Sequence, residues 1–82
     1  MRRVKKTDED LLKAHGYVYN FDRMAYFNRA VRKVFSLEWV EDHRDDLMRA
    51  LEEKNESGDW QIYADRMPSR AVIDAFVAEV NG

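Results

Sequence analysis

Aromatic rings and cationic side chains are mixed in the segment from 17 to 36, YVYNFDRMAYFNRAVRKVFS. Proteins that bind single-stranded nucleic acid combine a basic groove with aromatic platforms, because every base has a face on which a ring can stack. On this hypothesis the stacking rings and phosphate-binding cations are Tyr17, Tyr19, Tyr26 and Phe27, and Arg23, Arg29, Arg32 and Lys33. The basic run RRVKK near the N-terminus would add attraction that does not depend on base sequence. The alternative is that one row of rings belongs to the core and the cations cover strand edges.

The same segment also has the composition of a protein interface, which is typically rich in aromatic residues, Met and Arg. Trp39 is a further candidate for such a contact, since it lies at the flank of the apolar stripe of its predicted helix. Residues 1–35 hold nine Lys and Arg against four Asp and Glu, whereas residues 36–82 hold five against twelve. A basic half and an acidic half favour self-association or a charged partner, because complementary fields steer encounter. The alternative is that the two halves neutralise each other within one monomer.

A metal site is not indicated by the acidic run EWVEDHRDD. Asp42, His43 and Asp46 have helical spacing, but zinc sites use three or four protein ligands and His15 lies on a different predicted element. His43 follows Trp39 by four residues, so we expect its ring to stack on the indole. Thiolate catalysis is excluded by the absence of cysteine, and the chain has neither a glycine-rich phosphate loop nor a nucleophile-elbow motif. We therefore expect no enzyme activity, metal or cofactor.

Length and composition describe one small domain. The chain has 82 residues, a net charge of −2 and no cysteine, so no disulfide can stabilise its core. The basic start MRRVKK is followed by TDEDLL, where a signal peptide needs an apolar stretch. Its apolar runs are far shorter than the roughly 20 residues that cross a bilayer. We expect a cytoplasmic protein with no membrane partner, a flexible basic tail over residues 1–6 and a compact domain over residues 7–82.

Periodicity predicts the elements that position these side chains. A helix is predicted after an N-cap at Thr7 and ends at Gly16, which suits a helix C-terminus. Three short strands follow in YVYN, AYFN and KVFS, with Asn28 placed to begin the second turn. After these come a helix over residues 37–55 capped by Ser36, a strand in WQIYA, and a last helix after Pro68. A break near His43 would divide the long helix into two.

These elements predict a small α+β domain. Its short antiparallel sheet consists of a three-stranded meander and a fourth strand, and two amphipathic helices cover one face. The alternative is an all-α bundle in which residues 22–54 form two helices, because the apolar residues of 22–35 also recur at helical spacing. The expected function is a non-enzymatic protein-interaction domain, self-associating through its basic half (1–35) and acidic half (36–82). The rival expectation is a single-stranded nucleic-acid-binding module that uses residues 17–33.

Overall fold

The computed structural model describes residues 4–81, which form four helices and a four-stranded sheet. The helices are α1 (Lys6–Ala14), α2 (Leu37–Asp42), α3 (Arg44–Glu52) and α4 (Ser69–Asn81). The strands are β1 (Val18–Asn20), β2 (Ala25–Asn28), β3 (Lys33–Ser36) and β4 (Gln61–Tyr63). The α+β prediction is therefore confirmed, and the all-α alternative is wrong because residues 25–36 form two strands.

The antiparallel meander of β1, β2 and β3 has the predicted strands, with Tyr19 opposite Tyr26 and Tyr26 opposite Phe35. Its second turn contains no glycine and depends on Asn28. The Oδ1 atom of Asn28 accepts a hydrogen bond from the backbone N–H of Ala30 at 2.9 Å, as in an Asx turn. Arg32 then adopts a positive φ of 56°, which reverses the chain into β3. Arg32 thus holds the left-handed conformation that glycine usually adopts, and the side chain of Asn28 supports the turn before it.

The fourth strand makes the sheet mixed. Strand order is β1-β2-β3-β4, and β4 pairs in parallel with β3, whereas the other two pairs are antiparallel. A parallel partner needs a long crossover connection, which α2 and α3 supply between β3 and β4. The edge strands of this sheet are β1 and β4, and β3 is shielded from solvent along its whole length.

Two helix boundaries follow local capping contacts. Ser36 caps α2, since its Oγ accepts a hydrogen bond from the backbone N–H of Trp39 at 2.9 Å. The predicted long helix is broken at His43, whose ψ of 42° is not helical, so α2 and α3 are separate. The predicted N-cap at Thr7 is wrong, because α1 already begins at Lys6. Its first turn closes through the backbone N–H of Glu9, which donates to the carbonyl of Lys5 at 2.9 Å.

Both faces of the sheet are covered, so the expectation that the helices share one face is wrong. The first core lies under α1, α2 and α3 and contains Leu12, Tyr17, Tyr26, Phe35, Val40, Leu47, Ala50 and Leu51. The second core lies under α4 and contains Ala25, Val34, Ala64 and Ile73, with Phe27, Trp60, Ile62 and Val77 against them. Strands β2 and β3 carry apolar side chains on both faces, which is why each face needs its own cover. Of the predicted tail, residues 1–3 lie outside the described residues, and Val4 packs against the first core.

Candidate functional site

The rings proposed as stacking platforms belong mostly to the two cores. Tyr17 and Tyr26 are each 4% exposed in the first core. Burial raises the pKa of both phenols, that of Tyr26 to about 12. Phe27 is half-buried on the opposite face, with its ring centre 5.2 Å from that of Phe76 in α4. Tyr19 is half-buried beside Tyr26, at 4.8 Å between ring centres, and only part of it reaches solvent.

Two of the proposed phosphate-binding cations lie against the rings of Phe76 and Phe27. The guanidinium of Arg23 lies 5.6 Å from the ring centre of Phe76 and donates a hydrogen bond to Glu79. Arg29 lies 5.9 Å above the ring of Phe27 and is exposed. Arg23 therefore joins the β1–β2 turn to α4 and is committed to a carboxylate of its own chain.

The other two cations complete the backbone hydrogen bonding of neighbouring elements. Lys33 is 1% exposed, and its Nζ donates to the carbonyl of Ala50 at 2.6 Å and to that of Glu53. It thereby caps the C-terminus of α3, where a cation also suits the helix dipole. Burial lowers the pKa of the Lys33 ammonium, against the opposing field of Glu53. Arg32 donates to the carbonyl of Gly58 in the loop before β4. A phosphate has no access to the ammonium of Lys33.

Trp39 lies in an aromatic group rather than on an open surface. Its indole makes edge-to-face contacts with Phe35 at 5.4 Å and with Tyr63 at 5.1 Å. The ring of His43 stacks on it at 4.8 Å and 28°, which confirms the expected pairing. The Nε2 of His43 lies 2.6 Å from Oδ2 of Asp65, in the loop after β4. These contacts hold the α2–α3 junction to the end of the sheet, and the indole is half-buried.

An aromatic and basic surface nevertheless exists, beside α1. A cleft of about 790 Å³ lies between α1, β1 and the start of α2, and we call it the α1 cleft. Its apolar lining consists of Val4, Tyr19, Phe21, Tyr26 and Leu37, and its charged lining consists of Lys5, Lys6, Glu9 and Lys13. Phe21 is 85% exposed, and its ring meets that of Tyr19 edge-to-face at 4.9 Å. The cations beside these rings are thus lysines in and near α1, not the arginines of the meander that the sequence pattern suggested.

Two lysines of the α1 cleft form exposed ion pairs within α1. Lys13 contacts Glu9 at 2.8 Å and Lys6 contacts Asp10 at 3.3 Å, each at helical i, i+4 spacing. Such pairs are weak in water and compete poorly with a partner that excludes solvent. The hydrogen bond to Glu9 raises the pKa of Lys13, so its ammonium keeps its charge at neutral pH. The α1 cleft therefore offers an apolar lining with a positive border.

Residues 4–81 contain neither a cluster of metal ligands nor a helix suited to cross a membrane. Within that range no three His, Asp or Glu side chains come close enough to share a metal ion. None of the helices described there has the length and apolar character needed to span a bilayer. The chain matches no known protein-family model, no curated protein and no solved structure.

Proposed function

We propose that this chain is a non-enzymatic protein-interaction domain and that the α1 cleft is its binding surface. The observation that carries the proposal is Phe21, an 85% exposed phenylalanine beside a half-buried tyrosine and three lysines. An exposed ring loses the favourable free energy of burial, which is about 1.5–3 kcal/mol for a side chain of this size. A ring at the mouth of a preformed cleft is also the usual anchor of a binding hot spot.

The lining of the α1 cleft selects an acidic, amphipathic helix as its partner. The apolar face of such a helix would cover Phe21 and Tyr19, and its carboxylates would lie against Lys5, Lys6 and Lys13. A cleft of about 790 Å³ accommodates the side chains of one helix face, not a whole helix. Recognition would thus resemble helix-in-groove binding, with the positive border setting orientation and encounter rate.

A protein partner fits the α1 cleft better than a nucleic acid. Stacking needs several accessible rings in a row, and Tyr17 and Tyr26 are buried while Tyr19 is partly covered. The ammonium of Lys33 also donates to backbone carbonyls at the end of α3. We also place the protein in the cytoplasm, because a chain without cysteine needs no oxidising compartment; fractionation of cells expressing a tagged chain tests this.

The direct test is a titration of the protein with a fluorescently labelled, acidic amphipathic helical peptide that carries Leu and Met on one face and Glu on the other. We expect saturable binding at low salt. Phe21→Ala should weaken it about 30-fold, the equivalent of a hot spot of about 2 kcal/mol. Met67→Ala is the matched control, since Met67 is also an exposed apolar side chain and lies outside the cleft.

Two results would overturn the proposal. One is a Phe21→Ala variant that binds the peptide as tightly as the unaltered chain while its circular dichroism is unchanged. The other is a labelled oligothymidine that binds at low salt when the peptide does not, with affinity that falls steeply as salt is added. That second result would transfer the α1 cleft to nucleic-acid binding.

A further inference from the structure

The outer face of α3 is the chemical complement of the α1 cleft. Met48 is 48% exposed there, although a methionine at that place in an amphipathic helix would ordinarily face the core. Asp45 and Glu52 lie three residues before it and four after it, so the three side chains form one stripe. A shallow hollow at this place is lined by these residues and by Arg49 and Glu53. This α3 face is therefore apolar at its centre and mainly acidic around it.

We propose that the partner of the α1 cleft is the α3 face of a second copy of this chain. The inference rests on the proposed function and names the occupant of the same site. Three lysines and one glutamate line the α1 cleft, whereas three carboxylates and one arginine surround Met48, so the two surfaces attract each other. Met48 would insert beside Phe21 and Tyr19, because a thioether packs favourably against aromatic rings.

The two surfaces lie on different elements of the chain, so the contact joins unlike surfaces. Two copies that pair reciprocally about a two-fold axis close a dimer, whereas with a one-way contact each copy that uses its cleft still presents an unoccupied α3 face and further copies can add. We expect concentration-dependent self-association to a dimer or larger species at low salt, and dissociation as salt screens the charges.

Two charge-reversal variants separate the surfaces. The cleft variant carries Lys5→Glu with Lys6→Glu, which places negative charge at the N-terminus of α1, where the helix dipole favours it. The α3 variant carries Met48→Lys with Glu52→Lys, which places positive charge near the C-terminus of α3, as the dipole also favours. All four side chains are exposed, so both variants should fold like the unaltered chain.

Sedimentation velocity of the variants, alone and mixed, tests the contact between the α1 cleft and the α3 face. We expect each variant alone to be monomeric, with self-association weakened more than tenfold relative to the unaltered chain. An equimolar mixture should associate again, because each variant supplies the unaltered surface that the other lacks.

Three results would overturn the inference: an unaltered chain that stays monomeric at low salt, a single variant that still assembles, or a mixture that stays monomeric. The acidic peptide then shows which idea has failed. If it still binds the α1 cleft and Phe21→Ala weakens this binding about 30-fold, only the self-partner is wrong. If it does not bind, the proposed function fails as well.

Discussion

The buried ammonium of Lys33 gives a strong test of how this fold is held together. Lys33→Met keeps the apolar stem and removes the donor, leaving the carbonyls of Ala50 and Glu53 at the end of α3 without their partner. Hydrogen bonds from a charged donor contribute about 1.5–3 kcal/mol each. The variant also avoids the cost of burying a charge, which is visible as the lowered pKa of Lys33. We therefore expect a net loss of about 2–4 kcal/mol in the free energy of unfolding.

Urea unfolding followed by tryptophan fluorescence measures this loss. A domain of this size has a total stability of only about 4–12 kcal/mol, so the midpoint should fall by an amount that is easily resolved. Lys54→Met is the matched control, because Lys54 is exposed nearby and its replacement should change stability by less than about 0.5 kcal/mol. If Lys33→Met proves unfolded in buffer, the titration is run in a stabilising osmolyte. A Lys33→Met protein as stable as the control would refute the capping role.

Three further predictions concern single contacts. Because burial raises the pKa of Tyr26 from 10.0 to about 12, the stability it contributes is complete below pH 10 and is lost as the pH rises to 12. Between pH 10 and pH 12 the free energy of unfolding should fall by about 2–3 kcal/mol more in the unaltered chain than in Tyr26→Phe, as measured by unfolding titrations. An equal fall in both proteins would contradict the assignment. Gly58→Ala should lower the free energy of unfolding by about 1 kcal/mol, because alanine is strained at a φ of +83°. Gly16→Ala should lower it by about 2 kcal/mol, because its methyl would also lie 3.1 Å from the side-chain amide of Asn28. Equal shifts of the two melting temperatures would argue against that crowding. Ser36→Ala should cost about 1 kcal/mol through loss of the α2 cap, whereas Thr7→Ala should change stability by less than about 0.5 kcal/mol. A larger effect at Thr7 in chemical denaturation would restore it as a cap.

The meander was predictable because its signals are local. Alternation placed the three strands within a residue or two of their observed bounds, and Asn28 marked the turn between β2 and β3. The burial of Lys33 was not predictable, because its two acceptors lie 17 and 20 residues away on α3. A lysine at a strand end is ordinarily exposed, so the local pattern predicted that Lys33 would be free to bind a phosphate. Contacts of this kind depend on where a helix ends in space.

The covering of the sheet was the other property that local patterns did not determine. Alternation separates Tyr26 and Phe35 from Ala25 and Val34, but it does not say whether either row faces solvent. The parallel addition of β4 and the turn that follows it carry α4 to the opposite face from α1. Once α4 lies there, the second row becomes a core of its own. The rings of the central strands are therefore structural, and their number in the sequence overstated the available binding surface.

Phe21 escapes this burial because of where β1 ends. The alternation of the segment puts it in the same row as Tyr17 and Tyr19, yet the strand stops at Asn20 and the ring is 85% exposed. Opposite charge of the two halves is also partly paired inside one molecule, since Arg23 of the basic half pairs with Glu79 of the acidic half.

Two of the apolar side chains that remain exposed have charged neighbours of opposite sign. One exposed ring lies beside the lysines of α1, and one exposed methionine lies among the carboxylates of α3. Charge neutralisation within the monomer does not explain why the α1 cleft and the α3 face carry opposite charge around exposed apolar residues. An interaction between copies explains both exposed side chains and the charges around them, and the mixing of the two charge-reversed variants decides whether it holds.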